Sequence, residues 1–422
     1  MMTGWLSAYR ALDLTDARGV LAGQMMAKLG VDVIQVEPKA GSNARRVAPL
    51  DSFGNSFFWS AYGAGKRSIT LDLEQAEGRE LLLQLVDGAD FLFESADPCS
   101  FASLGLSYEA LHARNPALIH VSITPFGSDG PKRDYADSDL TSWASGGPLH
   151  PNRDASGPPL RLSVPQAFLH GAADGATGAM MAHFARLRTG RGQHVDISVQ
   201  QSITQATLGS HLAAAVGHED FAILAGVKAK PGPKSVDLSG SGSRTRRSKW
   251  KVSDGLVEMH LSMGPSSGAK TNSLFTWMKA EGALPPELHG WDWKSIPDLI
   301  IQGDITEEHL EVARTAVAKF LAPHTRLALQ DKASERGIML AAINEIDDLL
   351  TDRHLLERGY FVHVKEGNRD VTLPGRFAVG PDGMFADPAS APALGQHNDE
   401  VFLGLLGLDP LRYDALRERE VI

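Results

Sequence analysis

The spacing of apolar positions changes repeatedly along the first two hundred residues of the chain. Short, mostly apolar runs predict strands at 11–14, 33–37, 68–73, 91–93, 118–123 and 195–199. Longer runs with a one-sided apolar pattern predict helices at 20–29, 77–86, 108–114 and 168–188. Strands that alternate with helices in this way indicate βαβ units and a mostly parallel sheet. The predicted fold class is therefore α/β.

The pattern changes after the first two hundred residues. A stretch rich in Gly, Pro and basic residues at 228–247 predicts a loop or hinge, and mixed strand and helix signals with four tryptophans follow to about 329. The remaining residues alternate again. We therefore expect the N-terminal part of a large domain at 1–225, a hinge and small domain at 226–330, and a return to the large domain at 331–422.

Composition narrows the class of protein. The chain has 422 residues, a formal net charge of −10 and 43% apolar residues, which suits a globular protein with a sizeable core. The acidic balance argues against a nucleic-acid partner, and no run approaches the ~20 apolar residues that cross a bilayer. The first residues lack the features of a signal peptide, and the single Cys99 excludes an intrachain disulfide framework. These features predict a cytoplasmic protein without a membrane partner.

The common cofactor motifs are missing from the sequence. It contains no G-x-G-x-x-G after a strand, no Walker loop, no G-x-S-x-G and no H-E-x-x-H. The fifteen histidines do not pair at metal-ligand spacing. We therefore expect no metal and no permanently bound cofactor.

Several longer segments carry a family resemblance. They are GKRSITLDL at 65–73 with EGRELL at 77–82, NPALIHVSIT at 115–124, TGRGQHVDIS at 189–198 and LGQHNDEV at 394–401. In this order and with these spacings they resemble the family III CoA-transferases of the CaiB/BaiF type. The resemblance covers nearly the whole chain and is weakest between about 228 and 329.

The resemblance implies both an architecture and a reaction. It implies a Rossmann-like large domain built from both ends of the chain, a smaller α+β domain between them, and two interlocked chains. The implied reaction moves coenzyme A from an acyl-CoA thioester to an organic acid, so that the CoA thioester is a substrate. An aspartate attacks the thioester carbonyl, and an ionised carboxylate suits this nucleophilic role.

At the nucleophile position the match fails. In the family the aspartate lies three residues after a Val-Pro pair, which here is Val164-Pro165, and counting back from Thr189 reaches the same position. Both anchors place Phe168 there, and phenylalanine cannot be acylated. The nearest carboxylate is Asp174, which a helix would place roughly 240° around its axis and ~9 Å along it. His170 lies four residues before Asp174, so the two could form a pair. We take Asp174 and His170 as the catalytic candidates.

The resemblance also implies a set of CoA-contacting positions. These are Arg18, Gly19, Lys39, Leu71, Ser95, Ala96 and Lys132. Several depart from the family's usual residues, since Pro38 stands where a basic residue is common and Ser95-Ala96 replaces Asn-Phe.

Three interpretations stay open from the sequence. The chain is a CoA-transferase subunit whose nucleophile lies on a paralogous partner. Alternatively, it is a homodimeric acyl-CoA enzyme, a transferase or a racemase-like isomerase, that uses other residues. The racemases' active histidine has no counterpart here, because Ser138 stands at its position. In the third interpretation the chain binds acyl-CoA without turnover.

Overall fold

A computed structural model describes residues 4–150, 158–216, 248–367 and 369–422. The chain forms two compact units. Unit 1 takes its described residues from Met1–Arg153, Pro159–Leu212 and His354–Ile422, and unit 2 from Asp154–Pro158 and Ala213–Arg353. The predicted hinge at 228–247 lies outside the described residues.

The described strands and helices follow in chain order. The strands are β1 Arg10–Leu14, β2 Asp32–Glu37, β3 Arg67–Thr70, β4 Phe91–Glu94, β5 Ile119–Thr124, β6 His194–Ser198, β7 Lys249–Val252, β8 Gly255–Met259, β9 Leu340–Ala342, β10 Phe361–Glu366 and β11 Arg369–Pro374. The helices are α1 Val20–Lys28, α2 Phe57–Tyr62, α3 Ala76–Asp87, α4 Pro98–Ser103, α5 Tyr108–Arg114, α6 Asp139–Gly146, α7 Ala167–Thr189, α8 Val199–Thr204, α9 Leu208–Ala215, α10 Gly268–Ala280, α11 Ile296–Gln302, α12 Glu307–Leu321, α13 Arg326–Glu335, α14 Ile346–Thr351, α15 Arg353–Glu357 and α16 Pro410–Glu418.

Unit 1 is built on a six-stranded parallel sheet. Its strand order is β3-β2-β1-β4-β5-β6, which is the order of the Rossmann fold. The predicted α/β class and the Rossmann-like large unit are therefore confirmed. The sheet reverses its direction of growth between β1 and β4, and in such folds ligands bind outside the carboxyl ends of the strands at that point.

The two faces of this sheet bury different sets of apolar side chains. Leu12 and Leu92 point to the face that α3, α5 and α16 cover, whereas Ala11 and Phe91 point to the face that α1 and α7 cover. Successive strand residues point to opposite faces, so strands buried on both sides appear as continuous apolar runs in the sequence.

Small residues allow the long helix α7 to approach the sheet closely. A Cβ atom at Gly175 would lie 2.8 Å from the side chain of Ile123, and one at Gly171 would lie 2.7 Å from that of Val199. A larger residue would push α7 away from β5 at Gly175 or from the start of α8 at Gly171. This packing fixes where the first turn of α7 lies.

Unit 2 has its own core around a small sheet. Strands β7, β8 and β9 pair antiparallel, and Trp250, Trp277 and Trp293 are buried beside them. Residues 331–353, which the sequence analysis assigns to the large domain, belong to unit 2. The physical reason is that β9 pairs with β8 and α13 packs against the same sheet. Across the described residues, no helix is both long and apolar enough to span a membrane.

Candidate functional site

A cavity of about 550 Å³ opens at the carboxyl ends of β1 to β4. The last residues of these strands, or those that directly follow them, contribute Leu14, Glu37, Leu71 and Glu94. The other lining residues are Val36, Pro38, Lys39, Ala40, Asp72, Leu73, Glu74, Gln75, Ala96, Ser100, Phe101, Leu104, Arg419 and Glu420. The cavity therefore lies at the edge of the sheet where this topology places a ligand.

Buried polar contacts fix the end of β2 at the cavity wall. The Glu37 carboxylate accepts from Arg45 Nε at 2.6 Å, from Arg45 Nη2 at 2.7 Å and from Ser68 Oγ at 2.7 Å. The backbone N–H of Ser42 donates to it at 3.1 Å, and the Arg45 guanidinium lies 4.0 Å from the ring centroid of Trp59. These donors compensate the negative charge of the Glu37 carboxylate, so Glu37 has a structural role at the cavity wall.

Two further cations stand at the mouth of the cavity. Lys39 Nζ forms an ion pair with the Glu420 carboxylate, and Arg419 Nη1 donates to Glu77 Oε1 at 2.6 Å. Both pairs are well exposed, which limits the contribution of each to stability to about 0–1 kcal/mol. The sequence analysis missed residues 419–420 because nothing in their local pattern links them to β2 or to the loop after β3.

Glu94, at the end of β4, is a buried carboxyl group on the inner wall. The backbone N–H of Ala96 donates to its Oε2 at 2.8 Å, and His120 Nε2 lies 3.8 Å from its Oε1. Burial raises the pKa of Glu94 to about 7, and burial also lowers the pKa of His120 to about 3. At neutral pH the imidazole is therefore uncharged, and the raised pKa favours a proton on the Glu94 carboxyl group far more than on an exposed glutamate.

This raised pKa makes stability depend on pH. The unfolded-state pKa of Glu94 is about 4.5 and the folded-state pKa about 7, so the folded state binds more protons between these values. Its contribution to the free energy of unfolding is therefore greatest below pH 4.5 and is lost as pH rises to 7. We expect Glu94→Gln, which cannot ionise, to gain on the order of 2–3 kcal/mol relative to wild type across this window.

Urea unfolding of both proteins at half-unit steps from pH 4.5 to 8 measures this difference. Glu80→Gln, on the exposed face of α3, is the control and should follow the wild-type profile. If the free energy of unfolding changed with pH in the same way for wild type and Glu94→Gln, Glu94 would not have the raised pKa of a buried carboxyl group.

The seven predicted CoA-contacting residues fall into three places. Lys39, Leu71 and Ala96 line the cavity. Arg18, Gly19 and Ser95 lie on the loops after β1 and β4, and Lys132 lies on the loop after β5.

Asp16 joins the loops that follow β1 and β4. Its Oδ1 accepts from Ser95 Oγ at 2.9 Å and from Arg18 Nε at 3.2 Å, and its backbone oxygen accepts from the N–H of Gly19 at 3.1 Å. A Cβ atom at Gly19 would lie 2.5 Å from Thr15 Cγ2, so the turn into α1 needs glycine here. These contacts hold the loop in a tight turn beside the cavity.

Arg18 lies among carboxylates of its own chain. Besides Asp16, its Nη1 atom lies 3.5 Å from Asp97 Oδ1 and 3.6 Å from Asp137 Oδ1. A phosphate bound by Arg18 would compete with these groups. Lys132 does not line the cavity, and its Nζ lies 5.7 Å from the ring centroid of Phe126.

The start of α7 holds the position where the family's nucleophile is expected. Phe168 is the second residue of α7 and packs, half-buried, against the apolar cluster beneath the helix. Asp139, on α6, caps the helix from outside: its Oδ1 accepts from the N–H groups of Gln166 at 2.7 Å and Ala167 at 2.8 Å. Sequence reasoning missed this cap because Asp139 lies far from α7 in the chain.

The two catalytic candidates on α7 do not form a pair. His170 is exposed and meets the edge of Trp143 with ring centroids 5.8 Å apart. Asp174 is half-buried, more than a turn further along the helix than Phe168. No hydrogen bond or ion pair between His170 and Asp174 occurs among the described contacts of α7. In the described part of the chain, no cluster of three His, Cys, Asp or Glu residues could hold a metal ion.

Comparison with known proteins gives the class. A sequence model of CoA-transferase family III matches residues 6–230 and 289–398. The succinyl-CoA:(R)-benzylsuccinate CoA-transferase subunit BbsE of Thauera aromatica is 29% identical over 408 residues, covering 94% of this chain and 93% of the relative. The succinyl-CoA–D-citramalate CoA-transferase of Chloroflexus aurantiacus is 28% identical over 417 residues, covering 96% and 94%.

A solved structure shares the fold. The CAIB/BAIF family protein from Brucella suis superposes with a TM-score of 0.75 at 23% identity, covering 96% of this chain and all of that one. The chain therefore belongs to CoA-transferase family III. It is an enzyme of the class that moves coenzyme A between an acyl-CoA thioester and a carboxylate.

Proposed function

We propose that this chain is the subunit of a heteromeric CoA-transferase that lacks the nucleophile and works with a paralogous chain that supplies it. The observation that carries this proposal is Phe168, an apolar and half-buried side chain at the expected nucleophile position on α7. BbsE, to which the chain is similar over nearly its whole length, is itself named as a subunit. We place this enzyme in the cytoplasm, as the resemblance implies.

Exposed apolar side chains support a second chain as partner. Met181, Phe184 and Leu187 lie at helical spacing on α7 with between 64% and 70% of their surface exposed. Leu208 and Leu212 are similarly exposed on α9. Clusters of exposed large apolar side chains are a feature of surfaces that bind another protein. We assign this one to the paralogous chain.

The cavity suits the nucleotide end of coenzyme A. Val36, Leu71, Phe101 and Leu104 give it apolar walls, and its volume of about 550 Å³ accommodates a nucleoside-sized group. The thioester would then extend toward the partner's carboxylate. Attack on the thioester carbonyl breaks the carbon–sulfur bond and releases the CoA thiolate, leaving a mixed anhydride on the partner. The apolar contacts on this chain bind and position the substrate.

The two relatives reported above both act on succinyl-CoA by name. We therefore propose succinyl-CoA as the CoA donor and an organic acid, with a dicarboxylic acid as the first choice, as acceptor. The test compares the purified chain, a co-purified paralogous chain from the native host, and their mixture in a CoA-transfer assay. Transfer by the mixture is expected, and transfer by the purified chain alone would contradict a partner-borne nucleophile.

A substitution of Asp174 distinguishes this proposal from the alternative, in which the chain forms a homodimeric enzyme that uses other residues for catalysis. Because Asp174 lies away from Phe168 on α7, Asp174→Ala should leave turnover by the reconstituted heteromer within about twofold of wild type. His170→Ala is the companion variant with the same expectation. A loss of roughly a thousandfold in Asp174→Ala, with circular dichroism unchanged, would assign the nucleophile to this chain instead.

A further inference from the structure

The segment at 419–421 is fixed at the mouth of the cavity. The backbone N–H of Asp72 donates to the oxygen of Val421 at 2.9 Å, and the side chain of Val421 is fully buried in the core of unit 1. Directly before Val421, Glu420 has a φ of 59° and closes the C-terminus of α16, where its N–H donates to the oxygen of Arg417 at 3.0 Å and that of Val421 to the oxygen of Leu416 at 2.9 Å. This conformation costs a non-glycine residue on the order of 1 kcal/mol. This turn fixes the backbone from which the Glu420 side chain reaches Lys39.

The cations at the cavity form ion pairs with carboxylates of the same chain. Arg45, behind the wall, is held by the buried Glu37 through two short hydrogen bonds and cannot easily change partner. The Lys39–Glu420 pair differs, because both side chains line the cavity and are 60% and 67% exposed. Exchanging one partner of such a pair for another anion costs little desolvation.

Coenzyme A would bring phosphate groups to this mouth. Lysine binds phosphate as a point charge, and a phosphate monoester carries a charge of about −1.5 to −2 at pH 7, against −1 for a carboxylate. Asp72, Glu74 and Glu420 make the mouth negative, so a phosphate must enter against repulsion and take Lys39 from Glu420.

We propose that Glu420 is an internal counter-ion that holds Lys39 until a phosphate of the CoA nucleotide displaces it, and that it thereby sets the affinity for CoA. This inference rests on the proposed function of the cavity as the nucleotide site. Glu420 competes with substrate and product alike, so it weakens CoA binding and speeds its release.

A double-mutant cycle tests this role. CoA binding is measured by isothermal titration calorimetry at low salt for wild type, Glu420→Gln, Lys39→Met and the double variant. Glu420→Gln keeps the size of the side chain and should bind CoA about threefold to tenfold more tightly. Lys39→Met should bind more weakly, and Glu420→Gln should add little gain in that background. The gain should shrink at 0.5 M salt because exposed charges are screened.

Glu418→Gln is the matched control, since it removes the same charge from an exposed residue two positions earlier. Equal or weaker CoA binding by Glu420→Gln overturns the counter-ion role. A gain that persists in full without Lys39, or that Glu418→Gln reproduces, overturns it too, since the effect is then one of net charge. If wild type and every variant fail to bind CoA, the proposed nucleotide site is wrong and the counter-ion role with it.

Discussion

Replacing Lys66 by methionine is expected to lower the free energy of unfolding by about 3–5 kcal/mol. The Lys66 ammonium is fully buried and donates to Asp13 Oδ2 at 2.6 Å, to the backbone oxygen of Val20 at 2.8 Å and to Gln35 Oε1 at 2.9 Å. Burial lowers the pKa of Lys66, while Asp13 favours its charged form. Methionine would leave the Asp13 carboxylate buried without a counter-ion.

This hydrogen-bond network connects β1, β2, the start of α1 and the residue directly before β3. Gln35, on β2, donates to the backbone oxygens of Asp13 at 3.0 Å and Thr15 at 2.9 Å, and Lys66 reaches the start of α1 through Val20. A Cβ atom at Gly23 would lie 2.0 Å from Asp13 Oδ2, so α1 can pass this carboxylate only with glycine there. The lysine in the 65–73 motif therefore holds together the strands that form the cavity.

Urea unfolding of Lys66→Met, followed by circular dichroism and tryptophan fluorescence, measures this loss. Lys39→Met removes an exposed lysine from an ion pair and should cost at most about 1 kcal/mol. Adding Asp13→Asn to Lys66→Met should restore part of the stability, because it removes the unpaired charge. A Lys66→Met protein within 1 kcal/mol of wild type would show that the Asp13 carboxylate is buried at little cost without its counter-ion, contrary to this expectation.

Hydrophobic periodicity predicts most of the large unit because its strands are buried on both faces. The fifth strand, predicted at 118–123, is observed at Ile119–Thr124, and the helix predicted at 168–188 is observed at Ala167–Thr189. The third strand is shorter than predicted, at Arg67–Thr70, because the following apolar residues leave the sheet to line the cavity. The return to unit 1 at 354 escaped prediction, since β9 finds its place only through tertiary pairing with β8.

The candidate site could be predicted only where local motifs define it. Lys39 and Ala96 are expected only from the family resemblance, and both lie beside strand ends at the edge of the sheet where the cavity opens. The partners that set their electrostatics come from distant parts of the chain: Glu420 pairs with Lys39, and His120 lies beside Glu94. No pattern within a few residues indicates such contacts, because they depend on how finished elements pack.

Phe168→Asp is expected to convert an inert position into one that acyl-CoA can acylate. The substituted residue lies in the first turn of α7, where the helix dipole favours a negative charge and therefore an ionised carboxylate. Asp139 already accepts the N–H groups of Gln166 and Ala167, so the new side chain has no need to cap the helix and stays available to attack. Loss of a half-buried phenylalanine should cost about 1–2 kcal/mol, which the fold tolerates.

The experiment incubates Phe168→Asp with succinyl-CoA and hydroxylamine and measures the protein by mass spectrometry. Attack of the carboxylate on the thioester carbonyl breaks the carbon–sulfur bond, expels the CoA thiolate and leaves a mixed anhydride with succinate. The thiolate then attacks the aspartate carbonyl and releases succinate to give an enzyme-bound thioester. Hydroxylamine attacks the same carbonyl, releases CoA and leaves a stable hydroxamate on the side chain. Peptide mapping should place the hydroxamate at position 168 and find none in wild type or Phe168→Asn. A hydroxamate at Asp174 or Asp139 would show that another carboxylate faces the thioester, and no hydroxamate in a folded Phe168→Asp protein would show that position 168 lies away from it.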